Sequence, residues 1–337
     1  MSNTMDNLYV TPFHSGSIDQ ASFLVTGGAG FIGSNIVEYL LQHNAGKIRI
    51  LDNLSEGKRS NIEPFLKLEN VEFIEGDIAD MQTCTKACDG IDYVSHQAAL
   101  GSVPRSIETP TVTNEANVTG FLNMILAAKD AGVKRFVYAS SSSVYGDHPA
   151  LPKLESTIGA PLSPYAVSKY VNELYGAVFE SCYGLETIGF RYFNVFGPRQ
   201  KPDGPYAAVI PLFMDALLKN EAPKINGDGE QSRDFTFVVN AVEANIRGLF
   251  TKEKGATGQV YNIAFGERRT VNQLFGILKE LTSSELAPIH REPRPGDVRH
   301  SLADISNARK LLGYDPQFDI DRGLEITFKW FQKALGC

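Results

Sequence analysis

As far as Tyr192 the chain alternates short apolar runs with longer segments whose apolar residues recur every three or four positions. Short runs bounded by turn residues read as buried strands, and the wider spacing reads as one face of a helix. The predicted strands are 23–25, 47–51, 71–77, 91–96, 135–139 and 185–192. Ile36, Val37, Leu40 and Leu41 predict a first helix. Val118, Phe121, Leu122, Ile125 and Leu126 predict another over 114–131, and a third runs from Ser163 to Tyr183 after Pro164. Strands separated by helices imply a parallel sheet covered on both faces. Ligands of such a sheet lie at the carboxyl ends of its strands, where the glycines of 27–33, Asp52, Asp77, residues 98–101 and the serines of 140–143 fall.

The pattern changes after Asn194. A Pro- and Gly-rich loop covers 197–205, and shorter elements follow: a helix over 210–218, a strand over 234–238, a helix over 240–250 and a strand over 259–263. A helix over 271–281, a loop at 294–297 and a last amphipathic helix complete the chain. The expected organisation is a polar arm at 1–20, a dinucleotide-binding domain at 21–193 and a smaller substrate domain at 194–337, interleaved with the first. Tyr9, Val10 and Phe13 are the residues that could order the arm. The arm has no basic start or long apolar stretch, so it does not read as a signal peptide. No apolar run approaches membrane-spanning length. The net charge of −7 argues against nucleic acid or an anionic membrane as partner. These features suit a cytoplasmic protein. Of the four cysteines, Cys84 and Cys88 are spaced as neighbours on a helix. No second pair or His completes a metal site, so reduced thiols and no metal are expected.

The chemistry starts at Thr26-Gly27-Gly28-Ala29-Gly30-Phe31-Ile32-Gly33, between the first strand and the first helix. Gly27 turns the chain, Gly30 admits a pyrophosphate and Gly33 lets helix pack on strand. The helix N-terminus offers N–H groups and partial positive charge to phosphates. Asp52, ending the second strand, suits the two ribose hydroxyls of NAD and would repel a 2′-phosphate. In Tyr165-Ala166-Val167-Ser168-Lys169, Tyr165 and Lys169 share one helix face. An ammonium beside a phenol, with a nicotinamide cation nearby, lowers the phenol pKa. Such a phenol can take a proton from a sugar hydroxyl while NAD takes the hydride, and Ser141 can bond the same oxygen.

With these residues in place, and with the words at 97–104, 140–146, 191–197 and 225–229, Arg233-Asp234-Phe235 and Arg294-Pro295-Gly296-Asp297, residues 21–335 resemble the extended short-chain dehydrogenase/reductases, in particular bacterial UDP-N-acetylglucosamine 4-epimerases. The resemblance implies a Rossmann-type doubly wound α/β fold and tightly bound NAD. It assigns the cofactor to Gly27, Gly30, Phe31, Ile32, Gly33, Asp52, Asn53, Ser55, Asp77, Ile78, Gln97, Ala98, Ala99, Tyr165, Lys169 and Tyr192. Ser141, Ser142, Tyr165 and Lys169 would carry catalysis. Gly101, Ser102, Ser141, Ser142, Ser143, Tyr165, Asn194, Ala208, Val209, Ile225, Arg233, Val271, Arg294, Asp297 and Ser301 would meet the UDP-N-acetylhexosamine. Tyr192 and Phe193 read equally as core aromatics. Ser142-Ser143 follows Ser141 where a dehydratase needs an acid–base pair, so epimerisation is expected rather than loss of water. Ser301 occupies the gate position where epimerases of non-acetylated sugars carry Tyr, and its small size leaves room for a 2-acetamido group. The rival readings are a 4-epimerase of UDP-glucose or UDP-glucuronic acid, a non-catalytic nucleotide-sugar-binding protein, and an NADP reductase, which Asp52 disfavours. The resemblance also implies a homodimer through a bundle of the helices 114–131 and 163–183.

Overall fold

A computed structural model describes residues 8–202, 207–293 and 299–335. Seven parallel strands form one sheet: β1 (Ser22–Thr26), β2 (Lys47–Asp52), β3 (Val71–Glu75), β4 (Tyr93–His96), β5 (Arg135–Ser141), β6 (Glu186–Tyr192) and β7 (Gln259–Ile263). Their order is β7-β6-β5-β4-β1-β2-β3. The winding reverses at β1, which pairs with β2 on one side and β4 on the other. That reversal opens a crevice above the carboxyl ends of β1 and β4.

Helices α1 (Phe31–Gln42), α2 (Met81–Cys88), α3 (Gly120–Asp130), α4 (Pro164–Tyr183) and α5 (Val238–Phe250) cover the sheet. The strands read as unbroken apolar runs because both of their faces are covered. In β1, Phe23 and Val25 join one core while Leu24 joins the other. α1 and α5 bring Ile36, Val37, Leu40, Val242 and Ile246 to the first. α2, α3 and α4 bring Cys84, Phe121, Ile125 and Phe179 to the second. β7 comes from the chain's second half, so the sheet extends beyond 21–193.

α4 carries the Tyr-Lys pair, and its ends follow from sequence. Ser163 Oγ accepts the Ala166 N–H at 3.2 Å, and Pro164 occupies the first turn, where no donor is needed. Ala166, Lys169, Asn172, Glu173, Gly176 and Phe179 form the buried face.

Two expected elements differ. In 234–238 only Thr236–Phe237 is extended, and Val238 already opens α5. Phe237 and Val238 are both fully buried, so the apolar run spans a strand-to-helix switch. The helix expected over 114–131 is instead Pro110–Asn114, then a π-helical segment Glu115–Thr119, then α3. Such widened turns occur frequently at functional sites. The arm is ordered from Leu8: Tyr9 is fully buried and donates to Asn35 Oδ1 at 2.9 Å, and Phe13 stacks on Tyr39 with centroids 5.2 Å apart. Val10 is exposed.

Candidate active site

The glycine turn is as tight as its spacing requires. Gly27 has φ +65°, and a Cβ there would stand 2.7 Å from Ala98 N. A Cβ at Gly33 would stand 2.2 Å from Gly27 O, so α1 crosses the turn at backbone contact. First-turn N–H groups, here those of Phe31 and Ile32, have no partner within a helix and suit an anion. Asp52 is nearly buried, its Oδ2 accepting Ala29 N–H at 3.0 Å and its Oδ1 accepting Leu54 N–H at 2.8 Å. Burial pushes its carboxyl up, and these bonds oppose the rise. Asn53 Nδ2 donates to Asp77 Oδ2 at 2.8 Å, and Ser55 Oγ donates to Asn53 Oδ1 at 2.6 Å. Together with Gly27, Ile78, Ala98 and Ala99 these residues line a cavity of about 310 Å³ at the ends of β1, β2 and β3. Its carboxylates and amide at one end and its apolar Leu51, Ile78 and Val112 fit the adenosine half of NAD.

A larger cleft of about 690 Å³ continues from Gly30, Phe31, Ile32 and Gly33 past Gln97, Gly101 and Ser102 to Ser141, Tyr165 and Lys169, with Tyr192, Asn194 and Ala208 on its far wall. Tyr192 OH donates to Gln97 Oε1 at 3.2 Å and accepts from Asn245 Nδ2 at 2.7 Å. Ser143 Oγ donates to Ser141 Oγ at 2.9 Å. Burial raises the Tyr165 phenol, and a hydrogen bond with Ser141 offsets part of that rise. The lowering expected from sequence needs a nicotinamide cation beside the phenol, and this rise is the effect of the protein's own groups. The protein's own groups desolvate the phenol, and Lys169 Nζ turns to Ala139 O, 2.8 Å away. Burial also pulls Lys169 down to about 8.

A third cavity, about 460 Å³, adjoins Tyr165 and is lined by Ser102, Ser141, Ser142, Ser143, Asn194, Arg233 and Ser301. Asn194 sits at φ +37° and Ser102 at φ +105°, costly left-handed values for non-glycine residues that the surrounding structure must hold in place. Asn194 Nδ2 is tied to Asp234 O at 3.0 Å, and Ser102 Oγ caps the helix Val103–Glu108 through Arg105 N–H at 3.2 Å. Ser301 is 9% exposed, and among the described residues its Oγ has no hydrogen-bond partner. Val209 opens the next helix beside Ala208, and Ile225 and Val271 are buried core residues that do not line these three cavities. Arg294 and Asp297 lie outside the described residues.

Several residues of the site carry no motif. Asn117, in the π segment, accepts Leu100 N–H at 2.8 Å and donates to Leu100 O and Ser168 Oγ, both at 3.1 Å, tying the 97–102 loop to α4. Its signal is a polar residue within an apolar helical stripe. Arg105 Nη1 and Glu56 Oε1 meet at 2.6 Å on the rim of the cleft. Among the described residues no group of three or more His, Cys, Asp or Glu is placed to hold a metal. Cys84 and Cys88 are buried free thiols, each pushed up to about 12 by burial. Cys182 is free and exposed.

The strand order, the glycine turn and the Ser-Tyr-Lys cleft define a dinucleotide-binding α/β protein of the extended short-chain dehydrogenase/reductase type. The chain belongs to the NAD dependent epimerase/dehydratase family, whose model matches residues 23–264. It is similar to a UDP-N-acetylglucosamine 4-epimerase from Methanobrevibacter ruminantium M1, solved in complex with UDP-N-acetylmuramic acid. That likeness has 43% identity, a TM-score of 0.88 and coverage of 93% of this chain and 99% of the other. A UDP-glucose 4-epimerase from Thermotoga maritima, solved with UDP-glucose, has 37% identity, a TM-score of 0.87 and the same coverages. A UDP-glucuronate 4-epimerase from Thermodesulfobacterium geofontis is 34% identical over 322 residues, 93% of this chain and 97% of the relative.

Proposed function

We propose that this protein is a nucleotide-sugar 4-epimerase that interconverts UDP-N-acetylglucosamine and UDP-N-acetylgalactosamine. The chemistry NAD supplies, when bound, is reversible acceptance of hydride at C4. Tyr165 takes and returns the proton of the C4 hydroxyl, Ser141 holds that oxygen, and Lys169 supports the phenolate. Asn194 and Arg233 face the sugar and diphosphate. The cleft would have to admit the 4-keto sugar in two orientations, so that either face of C4 can be presented to the bound cofactor. Residues 21–193 hold most of NAD, and residues of 194–337 close over the UDP-sugar together with Ser102, the serines of 141–143 and Tyr165, in a cytoplasmic homodimer. Among the described residues no helix is long and apolar enough to cross a membrane.

The observation that carries the acetylated substrate is Ser301: a small residue lining one cavity with the serines of 141–143, its hydroxyl without a partner among the described residues, leaving space for a 2-acetamido group. A second reading, epimerisation of a UDP-uronic acid, is favoured by Lys153. This lysine lines the same cavity, is 3% exposed, and donates through Nζ to the carbonyl of His148. A UDP-glucose substrate needs neither feature. The test is to incubate the purified protein with UDP-N-acetylglucosamine, UDP-glucose and UDP-glucuronic acid separately and resolve the products. The acetylated sugar should be epimerised with the highest kcat/KM. Preference for either other substrate would replace the reading.

A further inference from the structure

The steps above leave one buried carboxylate of α4 unused. Glu173 stands one turn beyond Lys169 and is 6% exposed. Its Oε1 accepts from Ser140 Oγ at 2.5 Å and from Arg191 Nε at 2.9 Å, and its Oε2 accepts from Arg191 Nη2 at 2.7 Å. Ser140 precedes Ser141 at the end of β5, and Arg191 precedes Tyr192 at the end of β6. One carboxylate therefore fastens two strand ends to the helix that bears Tyr165 and Lys169. Arg191 rests over the Tyr145 ring, 4.8 Å from its centroid, and Tyr145 OH donates to Asn262 Oδ1 on β7 at 2.6 Å. The clamp thus spans β5, β6, β7 and α4.

Lys169 is 2% exposed, and its one hydrogen bond among the described residues goes to a neutral carbonyl, Ala139 O. An ammonium buried on such terms needs a counter-charge to stay protonated. Among the described residues, Glu173 on its own helix and His96 from β4 interact with it, Tyr165 and Tyr192 line the same cleft, and Arg191 from β6 is paired with Glu173. Burial holds the His96 imidazole down at about 3, so it is neutral. Burial keeps the Tyr192 phenol protonated. Glu173 is the charge that opposes the desolvation of Lys169.

We propose that Glu173 is a positioning residue that keeps Lys169 an ammonium and holds Ser141 and Tyr192 at their strand ends against Tyr165. This rests on the reading of Tyr165 and Lys169 as the proton-handling pair. An ammonium favours the phenolate beside it, so loss of the ammonium removes the base.

The experiment is the pH profile of kcat/KM for wild type, Glu173→Gln, Glu173→Asp and Ser140→Ala. The wild-type alkaline limb should fall near the Lys169 value of about 8. Glu173→Gln keeps an oxygen for Ser140 and Arg191 but removes the charge. Its alkaline limb should move to lower pH by about one unit or more. Glu173→Asp retains the charge, and Ser140→Ala removes one hydrogen bond and no charge, so both should keep the wild-type limb. If Glu173→Gln does not fold, Glu173→Gln with Arg191→Gln removes both charges together, and a smaller displacement in the same direction is expected, because the Arg191 cation that opposes the ammonium is lost as well. A limb that stays in place while activity falls equally at every pH means a purely structural Glu173 and overturns the inference. Near wild-type turnover in Tyr165→Phe would instead overturn the reading of the pair, wherever the limb lies.

Discussion

Tyr165 and Lys169 lie four residues apart on one helix face, and burial works on them in opposite directions. It raises the phenol above its ordinary value and pulls the ammonium down to about 8, so the two move apart and the lysine loses its proton first. Tyr165→Phe keeps the ring packing and removes the proton acceptor. Turnover should fall by ~10²–10⁴-fold with unchanged thermal unfolding, read by steady-state assay and melting. Ser301→Tyr should act on specificity. A phenol in that cavity would overpack the acetamido space at about 1–3 kcal/mol. The kcat/KM for the acetylated pair should then drop sharply, while that for UDP-glucose and UDP-galactose persists or rises. Equal losses on both pairs would show that Ser301 gates nothing. Tyr165 and Lys169 could be singled out from sequence because their spacing is local, and Ser141 because it lies at the end of the strand before them. The desolvation of Tyr165 could not, because it comes from residues far away along the chain. Asn117, Glu173 and Arg191 were hidden for a related reason: a polar residue in a helix or strand pattern reads as solvent-facing until its partners are known.

The element that fixes the cofactor site is β1, its turn and α1. The close approach of Gly33 to Gly27 O leaves no space for a methyl group. Gly33→Ala should force the turn open, destabilise the protein by about 1–3 kcal/mol and reduce the NAD released on denaturation. An unchanged melting temperature with full NAD content would contradict the packing described. The strands up to β6 were legible because each is a short apolar run between turn residues. The place of β7 beside β6 was not, because strand pairing across more than 60 residues leaves no periodic mark. The π segment escaped because its extra residue is absorbed without interrupting the apolar spacing.

Across the whole molecule, α4 presents an outer stripe opposite its buried face. Val167, Leu174 and Val178, spaced seven and four apart, are each about half exposed, and Ile107 and Val112 stand exposed on the neighbouring short helices. Apolar side chains at helical spacing suit the four-helix bundle proposed for the dimer. Leu174→Lys with Val178→Lys should convert a species of twice the chain mass to one of single mass in sedimentation. A wild type already at single mass would remove the dimer from the account. The central claim is inversion at C4 through hydride that never leaves the protein, and one isotope experiment tests it most directly. UDP-N-acetylglucosamine labelled with deuterium at C4 is incubated with the purified protein, without added nucleotide, and the product is examined by NMR and mass spectrometry. The account predicts UDP-N-acetylgalactosamine that retains deuterium at C4. Product with hydrogen at C4, or no product unless a dinucleotide is supplied and consumed, would contradict it.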